Sequence, residues 1–206
     1  MHERIRAMKL SRFAMSLGVA VLTSTYGVAV LADDGTAKQG RGISQQDQNF
    51  INTAYQSNET ELRLGQIAQD KATNEDVKNF AKHMVKDHTD VEHGMRALIS
   101  EVRGALPPTV DKDHTRMADE IAAKNGADFD RAYMDAMVKD HEEAVDLFEK
   151  EANAEVKTTT TEWAAKVLPT LKDHLRMALQ TGKVVGAPAA ADDAVPAKYK
   201  ERANEK

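Results

Sequence analysis

The five residues Met84-Val85-Lys86-Asp87-His88 recur letter for letter as Met137-Val138-Lys139-Asp140-His141, and a shorter echo follows at Lys172-Asp173-His174. Repeated sequence marks a repeated structural unit, and each copy ends in a residue that can bind a metal or move a proton. Each histidine also sits in the middle of an apolar line. The first line is Val77, Phe80, Met84, His88, Val91, Met95, Leu98 and Val102, and the second is Phe129, Tyr133, Met137, His141, Ala144, Phe148 and Ala152. The third is Trp163, Val167, Leu171, His174 and Ala178. Steps of three and four residues place such positions on one face of a helix. Burying these groups singly would cost a few kcal/mol each, so the fold has to bring partners to them.

A fourth line, Phe50, Ala54, Asn58, Glu61, Gly65 and Ala68, precedes the other three and carries Glu61 among its apolar positions. Ser44, with Asp47 three residues on, reads as its N-cap. Thr73-Asn74 followed by Glu75 and Asp76 opens the second helix, which runs to about Arg103-Gly104, and Pro107-Pro108 prevents continuation. Residues 109–127 hold a shorter amphipathic piece (Met117, Ile121, Ala122) that Asn125-Gly126 closes as a C-cap, after which Asp128 caps the third long helix. Thr159 with Glu162 reads as a capping box for the fourth, and Gly182 as its stop. Aromatic residues make up only 5% of the chain, and good helix formers are plentiful. The expected fold is therefore an all-α, ferritin-like four-helix bundle over residues 44–182, with one long crossover containing a short helix.

The ends read differently. Arg4, Arg6, Lys9 and Arg12 precede an uncharged run from Phe13 to Leu31 that finishes at Val30-Leu31-Ala32, the pattern of a signal peptide cleaved after Ala32. Residues 33–43 read as a flexible leader and 183–206 as a disordered tail. Losing the signal removes those four cations and Glu3, which takes the formal net charge from −5 to −8. Such an acidic chain is not expected to bind nucleic acid, and no stable membrane span should remain after cleavage. With no cysteine in 206 residues, disulfides and lipid attachment through cysteine are excluded. The expected location is the periplasm, with secretion as the alternative.

Glu61, His88, His141 and His174 thus form a candidate metal site, one residue from each long helix. If the helix pairs turn near residues 72 and 157, His141 and His174 lie at one height, and His88 lies about one turn, roughly 6 Å, from the level of Glu61. Three imidazoles and a carboxylate suit Zn, Fe, Mn or Cu. A closed polar network without metal would satisfy the same groups. Asp87, Asp140 and Asp173 each precede a histidine by one residue, about 100° round the helix, and are candidates for carboxylates that orient imidazoles on neighbouring helices. Met84, Met137, Met134 and Met177 lie nearby and could favour copper, or could simply fill the core. Pro169 should kink the last helix before His174, and His114 in the crossover reads as a surface residue.

The segments Glu61-Leu-Arg-Leu-Gly65, Val77-Lys-Asn-Phe80-Ala81, the two Met-Val-Lys-Asp-His copies, Phe129-Asp130-x-x-Tyr133 and Leu168-Pro169-Thr170-Leu171-x-x-His174 are distinctive together. They resemble the exported bacterial family catalogued as domain of unknown function 4142, labelled outer-membrane or periplasmic, over about residues 44–180. The resemblance implies export and a ferritin-like bundle. Di-iron members of that wider group use Glu-x-x-His on two helices, and no Glu-x-x-His occurs here, so one metal or none is expected. Three functions stay open: metal handling or envelope stress, a metal-free module docking an envelope protein partner, and a metal-dependent oxidase or peroxide-handling enzyme.

Overall fold

The computed structural model describes residues 43–203. The expected signal segment, and the leader up to residue 42, lie outside the described residues. Among the described residues there is no strand. Four long helices, α1 (Gln45–Lys71), α2 (Glu75–Val102), α4 (Gly126–Ala152) and α5 (Thr159–Val185), are joined by short turns within each pair. The longer link between α2 and α4 carries the short helix α3 (Lys112–Ala122). This is an all-α helical bundle with one long crossover. In it α1 packs on α2 and α4, α5 packs on the same two helices, and α3 lies against α1 and α4.

Local chemistry starts most of these helices where the sequence places them. Ser44 Oγ accepts the Asp47 N–H, and Asn74 Oδ1 accepts those of Asp76 and Val77, satisfying donors the first turn cannot. Three boundaries differ from expectation. Asn125-Gly126 begins α4 and does not close α3, which ends at Ala122; an Asn-Gly pair suits either helix end, and only the packing on each side decides. Asp128 falls in the first turn of α4, where it pairs with Arg131. The capping box of α5 sits one residue early, between Thr158 and Thr161, and the helix stops at Gly186 with φ 69°, past Gly182.

Register across the bundle is set from both ends. At one end the buried Asp130 carboxylate of α4 accepts the N–H groups of Thr73 and Asn74 and the Thr73 hydroxyl, tying the α1–α2 turn to α4. Towards the other end Phe50, Phe148 and Trp163 stack edge to face and tilted, with centroids 4.9–6.2 Å apart, joining α1, α4 and α5. Between them runs one apolar core that includes Met84, Tyr133, Met134, Met137, Leu175 and Leu179.

The segment expected to be disordered from residue 183 is ordered through Ala203. After α5 a turn of 3-10 helix (Pro188–Ala190) packs on α4 and α5, and a final helix α6 (Ala197–Ala203) lies on α5. Ala187, Ala190, Val195 and Tyr199 are buried there. The Ala189 N–H donates to Asp135, and the Tyr199 hydroxyl donates to Asp146. An alanine-rich strap of this kind needs no helical stripe, because its small side chains seat on a glycine. A Cβ on Gly182 would lie 2.7 Å from the Ala190 Cβ. No helix among the described residues is long and apolar enough to cross a membrane.

Candidate metal centre

Glu61 on α1, His88 on α2, His141 on α4 and His174 on α5 all point into the bundle, none more than 3% exposed. Glu61 Oε2 lies 2.9 Å from His88 Nε2 and 3.4 Å from His141 Nε2. The three rings stand 5.2–5.6 Å apart between centroids, and each histidine brings one nitrogen to within 4.8 Å of the others. The turn of offset expected between Glu61 and His88 is absorbed by the side chains.

The outward nitrogen of each ring has an acceptor. His141 Nδ1 donates to the Met137 carbonyl at 2.8 Å, one turn back on its own helix. His174 Nε2 donates to Asp87 Oδ2 at 3.1 Å, across to α2. His88 Nδ1 donates to Asn58 Oδ1 at 3.0 Å, across to α1. With its proton on the outward nitrogen, a neutral imidazole presents a lone pair on the inward one. Supports of this kind fix tautomer and ring orientation in metal sites.

Four buried atoms of the cluster are left without a hydrogen bond: Glu61 Oε2, His88 Nε2, His141 Nε2 and His174 Nδ1. At 2.9 Å, His88 Nε2 and Glu61 Oε2 are within bonding distance. Their spacing has another reading. A tetrahedral ion with bonds of about 2.0–2.1 Å sets its donors about 3.3 Å apart, which brackets the 2.9 and 3.4 Å separations around Glu61. The buried histidine group could hold a metal ion.

Electrostatics agree with the geometry. Burial pushes the Glu61 carboxyl up, but His141 and His88 beside it more than offset this and hold it down at about 2. Burial, helped by His141 and His88, pulls His174 down to about 3, and burial also lowers His141. At neutral pH His141 and His174 are therefore neutral imidazoles beside a buried carboxylate. The remaining Glu61 oxygen, Oε1, accepts only the Ser57 hydroxyl at 3.2 Å. Such a charge is costly unless a cation joins it.

The three candidate orienting aspartates separate. Asp87 sits where such a residue should, against His174. Asp140 has no bond to an imidazole; it is half-buried, and burial together with Glu61 pushes its carboxyl well up. Asp173 is exposed, with Arg176 as its ion-pair neighbour at 3.9 Å. The step of about 100° that aims Asp87 at α5 aims Asp173 at solvent, because α5 has its own neighbours on other sides. Asn58, the Met137 carbonyl and His83 were not assigned roles from sequence. Asn58 alone left a signal, as a polar residue on the apolar line one turn before Glu61. Met84, Met134 and Met137 are fully buried in the core. Pro169 lies inside an unbroken α5 on its exposed side. His114 is half-buried, capped by Asp111, and lines a cavity of about 260 Å3 that also reaches Ser57, Asn58, Glu61, His88 and Asp140.

No curated protein and no solved structure matches the chain. The model of a family described as domain of unknown function DUF4142 matches residues 32–181. That span covers α1, α2 and α4, all but the last four residues of α5, and every residue of the cluster, and the chain belongs to this family.

Proposed function

We propose that the protein holds one transition ion, Zn(II), Fe(II), Mn(II) or Cu(II), through Glu61, His88, His141 and His174, and that it works in metal handling or stress defence in the cell envelope after export. One observation carries the metal reading: three buried imidazole nitrogens from α2, α4 and α5 lie within 4.8 Å of one another, and a buried Glu61 oxygen without a hydrogen bond lies 2.9 and 3.4 Å from two of the histidines. A metal-free network would instead pair Glu61 Oε2 with the N–H of His88 Nε2, 2.9 Å away, with the Asn58 amide turned to donate to His88 Nδ1. Export rests on the basic start and the uncharged run to Ala32, and the ferritin-like relationship rests on the four-helix connectivity.

The test is metal content and linkage. The mature chain should carry about one equivalent of ion, or take one up, and its melting temperature should rise with ion concentration. If it is isolated without metal and none of the four ions shifts its melting, the proposal fails. A catalytic reading is favoured by the cavity that reaches Glu61 and His88. A bound ion would supply Lewis acidity or, for iron, copper or manganese, one-electron chemistry. Peroxide turnover that is lost in His174→Ala and exceeds that of the free salt would support it; equal turnover by the salt would remove it.

A further inference from the structure

His174 belongs to two donor sets. It is grouped with His88 and His141 in the core, where its Nδ1 is buried without a hydrogen bond, and its Nε2 faces Asp87 Oδ2 at 3.1 Å. The same Asp87 oxygen lies 3.1 Å from His83 Nε2, one turn back on α2, and the His83 and His174 rings are 5.7 Å apart. One donor atom from each of His83, Asp87 and His174 falls within a 4.8 Å circle. The set spans the protein wall. The His83 side chain is 48% exposed, Asp87 17% and His174 1%. Lys86 occupies only the other Asp87 oxygen, Oδ1, at 3.0 Å, so Oδ2 is shared between the two imidazoles alone. Both 3.1 Å separations are near the donor spacing of about 3.3 Å around a tetrahedral ion.

We propose that His83, Asp87 and the outer face of His174 form a second, solvent-reached site for a divalent transition ion, through which metal is loaded into the core. The proposal rests on the core site holding metal. Its chemistry follows from the single N–H of a neutral imidazole. An ion on His174 Nε2 displaces the proton there, and the ring then carries its proton on Nδ1, inside the bundle. When the ion passes inward to Nδ1, the proton returns to Nε2, which again donates to Asp87. The proton count of the ring is unchanged, and one ring serves the two sites in turn. With two imidazoles and one shared carboxylate oxygen against three imidazoles and a buried carboxylate, the outer set is the weaker, as a loading site must be.

Co(II), whose visible spectrum reports tetrahedral ligation, serves as the probe with the full mature chain. Uptake is followed in the wild type and in His83→Gln, an exposed substitution outside the core cluster. The expected result is the same final spectrum and the same affinity in both, with uptake slowed about ten-fold or more in the variant, the scale on which loss of one supporting group moves metal binding. In His141→Gln, which weakens the core site, a weaker Co(II) site should persist and should vanish in the double variant with His83→Gln. An unchanged uptake rate in His83→Gln overturns the proposal while leaving the core site standing. A changed final spectrum overturns it too, by making His83 a ligand of the resident ion. If the wild type takes up no Co(II) at all, the core reading fails, and this one falls with it.

Discussion

Glu61 is the residue on which the metal reading is most exposed to test. In the metal-free protein its buried carboxylate has an oxygen with no hydrogen bond, and an unsatisfied buried polar group costs about 1–3 kcal/mol, more when charged. Glu61→Gln removes that charge and keeps the shape. The substitution is expected to abolish stabilisation by added metal and, because the neighbouring histidines favour the carboxylate, to leave the metal-free protein no more stable than wild type. Urea denaturation with and without chelator measures both, and stabilisation by metal equal to that of wild type would take Glu61 out of the ligand set. Acid should act through the same cluster. A histidine whose folded-state pKa lies below the unfolded value, about 6.5, binds more protons when the chain unfolds. Its contribution is therefore complete above pH 6.5 and is lost as pH falls towards the folded value, about 3 for His174. Glu61, held at about 2, acts in the same direction below about pH 4.3. The chelated protein is expected to lose stability steadily from about pH 6.5 down to 3. The metal-loaded protein should lose its extra protection more steeply at the start of that window, because protons compete for three imidazoles at once. Melting curves against pH, with and without chelator, separate the two components; superimposable curves would make the histidines core residues only.

Among the elements, the C-terminal strap is the one whose role the packing assigns. Gly182 is where it touches down. A methyl group there would meet the Ala190 Cβ at 2.7 Å and Val138 Cγ2 at 3.6 Å. Overpacking of this kind costs about 1–3 kcal/mol, against a gain of about 1 kcal/mol in helix propensity. Gly182→Ala is expected to release the strap from α5, lowering stability slightly and making residues 187–199 sensitive to protease. Protection equal to wild type in limited proteolysis would count against that contact. Removing the strap altogether exposes the faces that cover Val195 and Tyr199, each worth about 1.5–3 kcal/mol of burial before the ordering of the segment is offset. The core site, whose candidate ligands lie on the inner faces of α1, α2, α4 and α5, should keep any metal it binds.

For the whole molecule, a metal held by one ligand from each of four helices, as proposed, would act as a cross-brace of the bundle. Binding adds RT ln(1 + [L]/Kd) to the stability of everything that must open to release the ion, about 4 kcal/mol at a thousand-fold excess over Kd. Hydrogen exchange is expected to slow on metal binding in the middle turns of α1, α2, α4 and α5 together, and to change little in α6. Slowing confined to one helix pair would mean that the ion sits on fewer ligands. Much of this was legible in the chain itself. The apolar lines, the turns near residues 72 and 157, and the placing of Glu61, His88, His141 and His174 on inward faces follow from side-chain periodicity, a local property that one strand of sequence carries complete. The strap was not legible, because alanine against glycine leaves no periodic signal. Nor could spacing tell that Asp87 reaches an imidazole while Asp173 reaches water, that Asn58 orients His88, or that His83 shares the Asp87 oxygen. Those depend on which helix stands beside which and at what height. Asp130 and the Phe50–Phe148–Trp163 cluster set that register only once distant segments have packed, and the tertiary fold alone brings Asn58 and Asp87 to the outward sides of His88 and His174, whereas His141 finds the Met137 carbonyl on its own helix.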